Sequence, residues 1–138
     1  MQNSIGVMEK CMKREILFRG KRQDTLSFCE GYLSDEDVIT VISFHDGEKF
    51  VDDYLVIPET VGQYSGFSDC TGKRIFEGDL REGSYYRGSE RIFYKDVMIF
   101  KDGKFSWKSL EGYDSAGMPS FCETQVSGNI HDNPELLK

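Results

Sequence analysis

Short runs of β-branched and aromatic residues, each ended by a turn signal, constrain the fold of this chain more than any other feature. Turn signals recur about every 8–12 residues, and no segment sustains the roughly 3.6-residue period of an amphipathic helix. The strongest runs cover residues 38–44 and 91–100. We therefore predict a mainly β fold, either a small SH3-like barrel or a β-sandwich, with short helical turns at the N- and C-termini.

Two Asp-Gly pairs predict tight hairpins. Asp46-Gly47 follows the first strong run, and Asp102-Gly103 follows the second. Both residues of such a pair tolerate the positive φ angles that a two-residue hairpin turn requires. Glycine also recurs at short intervals through residues 62–88, which favours bends and bulges over long helices.

The chain of 138 residues has the length of one compact unit or of two small subdomains. Proline cannot donate to a strand ladder, so Pro58 ends the extended run before it. We predict an N-terminal β segment with a flexible lead-in over residues 1–58 and a barrel-like part over residues 59–138. No apolar run approaches the roughly 20 residues that a membrane span needs, so we expect no membrane partner.

The cysteines and histidines form no metal-binding or redox motif. The four cysteines contain no C-x-x-C pair, and the two histidines, His45 and His131, lie far from them in sequence. The N-terminus also lacks the apolar core of a signal peptide. We predict reduced thiols in a cytoplasmic protein, with no metal and no cofactor.

Catalytic chemistry has little support in the sequence. Glu77 and Asp79 are closely spaced carboxylates, and His45 lies beside Asp46, so either pair could in principle act as an acid or a base. No nucleophile accompanies them locally, and Glu-Gly-Asp and His-Asp at turns commonly serve as caps or exposed polar groups. We therefore predict that the protein is not an enzyme.

The net charge of −7, from 17 Lys+Arg and 24 Asp+Glu, disfavours nucleic acid as a partner. The second half nevertheless interleaves aromatic and basic residues, a pattern typical of platforms that stack single-stranded nucleic acid. The alternative is that the aromatic rings fill the core and the basic groups face water. The candidate partner or nucleic-acid surface comprises Tyr64, Tyr85, Tyr86, Arg87, Arg91 and Trp107.

Four segments resemble the YopX family of phage and prophage proteins. Residues 56–67 read VIPETVGQYSGF and residues 69–80 read DCTGKRIFEGDL, close to the family's central block. Residues 128–137 read GNIHDNPELL, which resembles the family's closing block, and residues 15–21 resemble its opening strand. The departures within the central block are Ser65 for the usual Thr, Phe76 for the usual Tyr, and Cys70-Thr71 in place of polar turn residues.

The resemblance implies a small phage-encoded protein of uncharacterised role that self-associates in the cytoplasm of a bacterial host. It carries over no catalytic residues. We therefore expect a non-enzymatic binding module whose partners are further copies of itself and a phage or host protein. The alternative is a module that binds single-stranded nucleic acid through its aromatic and basic β surface.

Overall fold

The computed structural model describes residues 15–110 and 124–134, which confirm the prediction of a mainly β protein. The described residues form ten strands and one 3-10 turn, η1, at Pro58–Thr60. The strands are β1 (Phe18–Lys21), β2 (Phe28–Asp35), β3 (Val38–His45), β4 (Glu48–Leu55), β5 (Gly62–Ser68), β6 (Arg74–Phe76), β7 (Asp79–Arg87), β8 (Glu90–Lys101), β9 (Lys104–Ser109) and β10 (Val126–Asn129).

The strands build two antiparallel sheets. The first has the order β4-β3-β2-β1-β5-β6, and the second has the order β10-β7-β8-β9. An isolated bridge between Arg22 and Val56 brings the end of β4 back against the end of β1. Strand pairing closes neither sheet into a barrel within the described ranges, and neither the predicted SH3-like barrel nor the alternative β-sandwich is confirmed. The predicted helical turns fall mainly in residues 1–14 and 135–138, outside the described residues.

The two strong runs and their turns form as predicted. The run at 38–44 is β3, and the run at 91–100 lies within β8. Asp46 and Gly47 have φ angles of 52° and 80°, and Asp102 and Gly103 have φ angles of 55° and 80°. Both Asp-Gly pairs therefore take the left-handed conformation that a two-residue hairpin turn needs.

Apolar side chains from both sheets form a buried cluster. Ile75 of β6 packs with Met98 of β8 and Trp107 of β9, and Phe105 and Val126 pack against this group. The contact joins the β6 edge of the first sheet to β8 and β9 of the second, and its burial stabilises the way the two sheets meet.

The turn between β6 and β7 lies where the sheets meet. Gly78 has a φ of +89°, and a Cβ there would lie 3.3 Å from the Ile130 side chain. The Gly78 N–H donates to the Met98 carbonyl, and the Gly78 carbonyl accepts from the Ile130 N–H. The chain passes between sheets at this glycine.

The predicted division at residue 58 stays a prediction, and strand pairing crosses it because β1 pairs with β5.

The described part of the chain has no helix with the length and apolar character needed to cross a bilayer.

Candidate interaction surfaces

The hairpin of β3 and β4 carries apolar side chains on a face that the rest of the described chain leaves uncovered. Ile42 and Val51 lie directly opposite each other, and Phe44 lies opposite Lys49 on the same face. Tyr32 of β2 extends this face across the neighbouring strand, since it pairs with Thr40. The exposed fractions are 38% for Ile42, 67% for Phe44, 55% for Val51 and 52% for Tyr32. We call Tyr32, Ile42, Phe44 and Val51 the arm face.

The arm face is exposed because the hairpin extends past the core. Ile39 near the start of β3 is fully buried, as is Val56 just after β4. Every residue from 41 to 53, in contrast, is at least partly exposed. A shallow groove of about 350 Å³ runs along this region, lined by Tyr32, Ile42 and Phe44 together with Leu17, Lys49 and further residues of β2 and β3. On soluble proteins, contiguous patches of exposed apolar side chains commonly mark interaction sites.

A second exposed cluster lies on one face of the β7–β8 hairpin. Tyr86 pairs with Arg91, and Ser84 pairs with Phe93, so all four share a face. The Arg91 guanidinium lies 5.0 Å from the centre of the Phe93 ring, and its Nε donates to Ser84 Oγ over 3.1 Å. Tyr86 and Phe93 are both mostly exposed. We call Tyr86, Arg91 and Phe93 the hairpin face.

The structure brings together only some of the residues singled out from sequence. Tyr86 and Arg91 are cross-strand neighbours on the hairpin face. Tyr85 points to the opposite face, where its ring lies 6.3 Å from that of Tyr94. Arg87 is exposed at the hairpin end, with Nη2 3.5 Å from the Tyr85 hydroxyl. These residues therefore do not form one continuous surface.

Two further candidates lie away from the hairpin. Tyr64 is half-buried on β5, where its ring packs 5.6 Å from that of Phe76. Trp107 is 9% exposed and belongs to the core cluster, under the guanidinium of Arg81 at 4.4 Å. Its ring is covered because it lies beside Met98, its partner in register, and packs in the same cluster as Ile75. Trp107 is therefore a core residue and is not available as a stacking surface.

Glu77 and Asp79 use their carboxylates within the fold. Glu77 Oε1 accepts from the Gln63 N–H over 2.9 Å. Asp79 Oδ2 accepts from the Phe76 N–H, and its Oδ1 lies 2.7 Å from Arg19 Nη2. Burial raises the pKa of the Asp79 carboxyl above its usual value, while Arg19 and the Phe76 N–H oppose that rise. Both groups thus fix the junction between the sheets.

The histidines also have structural neighbours. His45 closes the β3–β4 hairpin and lies edge-on to Phe50 at 5.4 Å. His131 lies 6.4 Å from the Phe28 ring, and burial together with nearby Arg19 and Lys21 lowers the pKa of its imidazole. Across residues 15–110 and 124–134, no group of three or more His, Cys, Asp or Glu side chains is placed to hold a metal ion.

A family model described as YopX protein matches residues 13–138, nearly the whole chain. The chain belongs to the YopX family. Among solved structures, this YopX-family chain is similar to the crystal structure of protein EF1440 from Enterococcus faecalis. The two share 23% sequence identity with a TM-score of 0.56, over 91% of this chain and 100% of that chain. At this identity the likeness shows a shared fold alone. No curated protein matches the sequence.

Sequence reasoning did not single out the arm face of this YopX-family chain. Ile42, Phe44 and Val51 lie in strong strand signals, and apolar residues in such strands are normally assigned to the core. One signal was available. Both faces of β3 carry apolar residues, Ile39 and Val41 on one face and Ile42 and Phe44 on the other. When the core covers only one face of a sheet, the apolar residues on the other face of the strand stay exposed.

Proposed function

We propose that this chain is a non-enzymatic binding module, encoded by a phage or prophage. It associates with further copies of itself and engages a phage or host protein in the cytoplasm of the bacterial host. The observation that supports this proposal is the arm face, on which four large side chains present apolar surface to solvent. Membership of the YopX family is compatible with it, since the resemblance in sequence carries over no catalytic residues.

Burial of the arm face supplies the driving force for association. Moving a side chain such as Phe44 or Val51 from water into a packed interface contributes roughly 1.5–3 kcal/mol when burial is complete. Both residues are more than half exposed, so most of that contribution is still available for binding. The clearest candidates for reacting groups, Glu77 and Asp79, are held by backbone N–H groups and by Arg19, which favours binding over catalysis.

The test is the mass of the protein in solution, measured by sedimentation equilibrium at tens of micromolar. A multiple of 15.8 kDa is expected for the wild type, and Phe44→Ser should shift the mass toward the monomer. Phe93→Ser is the matched control, because Phe93 is similarly exposed but lies on the other sheet. A wild-type monomer at these concentrations, or equal effects of the two substitutions, contradicts the proposal.

A second candidate function is binding of single-stranded nucleic acid at the hairpin face. The observation in its favour is that Arg91 already stacks on Phe93, with Tyr86 beside it, so a base could extend a preformed aromatic and cationic surface. Against it stands the net charge of −7, which weakens attraction for any phosphate backbone.

Anisotropy of a labelled single-stranded oligonucleotide tests this second candidate. Binding should weaken as salt is raised, and Arg91→Ala should lower the affinity about tenfold or more. Phe44→Ser, on the first sheet, should leave the affinity unchanged. No binding at low salt excludes the nucleic-acid function while leaving the association proposal intact. Trp107 fluorescence is unsuitable as a reporter because the indole is buried.

A further inference from the structure

Strand β4 is one edge of the first sheet, and no residue within 15–110 or 124–134 pairs with the backbone on its outer side along most of its length. It lies at the end of the strand order, and seven of its eight residues are exposed. An edge of this length is a template for another strand unless something covers it. The directions of the backbone groups and the charges of the side chains on β4 decide which strand can pair with this edge.

The backbone groups of alternate residues point away from β3. His45 and Glu48 close a two-residue turn, so they exchange hydrogen bonds, and the even-numbered residues of β4 bond to β3. The N–H and C=O groups of Lys49, Val51 and Asp53 therefore face outward. The Leu55 carbonyl, which follows the same alternation, accepts from the Gln23 N–H over 2.9 Å.

The bond from Gln23 marks where the free edge ends. Chain segment 21–23 covers the outer side of β4 at Leu55, next to the bridge between Arg22 and Val56. Among the described residues, none bonds to the outer side of residues 48–54, which have Val51 at their midpoint. A second strand can therefore use seven residues of this edge, and a pairing centred on Val51 uses all of them.

The charges on β4 select one self-pairing. When two copies pair antiparallel about a two-fold axis at Val51, Lys49 of each copy lies opposite Asp53 of the other, on the same face. A centre at Phe50 would oppose Glu48 and Asp52, and a centre at Asp52 would oppose that residue with itself. Only the centre at Val51 avoids like charges, and it repeats the favourable pair twice.

The other long edge lacks this property. Strand β9 ends the second sheet with six residues, Lys104–Ser109. It carries Lys104 and Lys108 but no acidic residue, so no two-fold pairing of its six residues can place unlike charges opposite each other. The complementarity is therefore a feature of β4 and not a general property of the edges of this protein.

We propose that two copies of this chain pair through their β4 edges, antiparallel and centred on Val51, so that the two first sheets become one continuous sheet. The pairing exchanges backbone hydrogen bonds between Val51 and Val51 and between Lys49 and Asp53 of the two copies. It also joins the two arm faces side by side, because Val51 belongs to both the edge and the arm face. This inference rests on the proposed self-association and names its surface.

Charge exchange at Lys49 and Asp53 tests the pairing, with the dimer Kd measured by sedimentation velocity. Within one chain these residues are four apart on a strand and do not contact each other. Asp53→Lys also removes the bond that Asp53 Oδ1 accepts from Thr40 Oγ1 over 2.7 Å, so the effect of Lys49→Asp and the recovery in the double variant carry the test. Lys49→Asp or Asp53→Lys alone replaces two attractive pairs with two repulsive ones and should raise the Kd about tenfold or more. The double variant Lys49→Asp/Asp53→Lys should restore the wild-type Kd to within about threefold.

Lys108→Asp on β9 is the matched control and should leave the Kd unchanged. Circular dichroism identifies any variant that fails to fold, and amide hydrogen exchange on the wild type gives an independent measurement. The amides of Lys49, Val51 and Asp53 should gain protection as the concentration is raised through the Kd.

The outcomes separate this inference from the proposed function. Restoration by the double variant together with protection of the three amides supports β4 pairing. If the wild type associates but the single reversals have no effect, or the double variant does not recover, β4 pairing is wrong while self-association stands. If the wild type is a monomer at every accessible concentration, both fail together.

Discussion

Arg81 Nε donates to Asp96 Oδ2 over 2.9 Å across the β7–β8 pair, and both side chains are almost completely withdrawn from solvent. Arg81 Nη1 also donates to Thr124 Oγ1 over 2.9 Å, and the guanidinium lies over the Trp107 ring. Arg81 therefore connects β7 to β8 and to the segment just before β10, beside the apolar core.

Removal of one partner of this pair should destabilise the protein strongly. Asp96→Ala leaves the Arg81 charge buried without its carboxylate, which typically costs about 3–5 kcal/mol. Urea unfolding followed by circular dichroism measures the loss of stability. The double variant Arg81→Met/Asp96→Leu should recover most of it, because an apolar pair needs no charge partner. A loss below about 1 kcal/mol for Asp96→Ala would contradict this account.

Asp69 should make stability depend on pH in the acid range. Burial opposes its charged form, but hydrogen bonds from Thr71, Val126 and Lys73 outweigh that effect and lower the pKa of Asp69 from 3.8 to about 2. Because the folded pKa lies below the unfolded one, the stabilisation is complete above 3.8 and is lost as the pH falls toward 2. The full contribution is about 2 kcal/mol.

Unfolding curves collected between pH 2 and pH 6 test this dependence on Asp69. Asp69→Asn should lower the stability at pH 6 and flatten its fall toward low pH. The control is Asp102→Asn, at an exposed turn where asparagine accepts the positive φ of 55°. It should retain the wild-type pH dependence. A wild-type slope in the Asp69→Asn variant would assign the acid sensitivity to other groups.

The shape of the Arg19 guanidinium should matter as well as its charge. The group lies 4.6 Å from the Phe28 ring centre and 5.0 Å from that of Phe76, and it pairs with Asp79. Arg19→Lys keeps the charge but loses the planar stack, so we expect a loss of about 1–3 kcal/mol in thermal or urea unfolding. Arg91→Lys should cost less, since the stack of Arg91 on Phe93 at 5.0 Å is exposed to solvent. Equal losses would show that charge alone is needed.

Gly31 is required by the close approach of two strands. A Cβ at this position would lie 2.3 Å from the Thr40 carbonyl oxygen, which is backbone and cannot turn aside. Gly31→Ala should therefore separate β2 from β3 and cost several kcal/mol, about 3 or more, in urea unfolding. Gly88→Asn provides the comparison, because that site is open and asparagine tolerates its φ of +66°. Near-wild-type stability of Gly31→Ala would disprove the steric argument.

Local features were predictable from sequence where short-range chemistry decides the structure. The β-branched run at 38–44 and the Asp-Gly pairs specify strands and turns within a few residues of themselves. The turn at 69–72 is of the same kind, since the Gly72 N–H bonds to the Asp69 carbonyl and Gly72 has a φ of +88°. Such elements do not depend on the rest of the chain.

Burial was less predictable because it depends on distant partners. Arg81 reads as a surface residue until Asp96 and Thr124, 15 and 43 positions away, are placed beside it. Trp107 reads as a possible stacking surface until the register sets it opposite Met98. The choice between two apolar faces of β3 likewise depends on which face the core covers, and that is a property of the assembled sheets.

The pairing of β10 with β7 has a consequence for the order in which the second sheet can assemble. Its residues pair with 79–81 of β7, and the Cys70 N–H bonds to the Thr124 carbonyl. Residues 79–101 are synthesised before residue 126, so the partners Arg81 and Asp96 are both available before β10 can cover its side of β7. The second sheet can be completed only after translation has reached β10, so the pairing of β10 with β7 is the last pairing that this sheet can form.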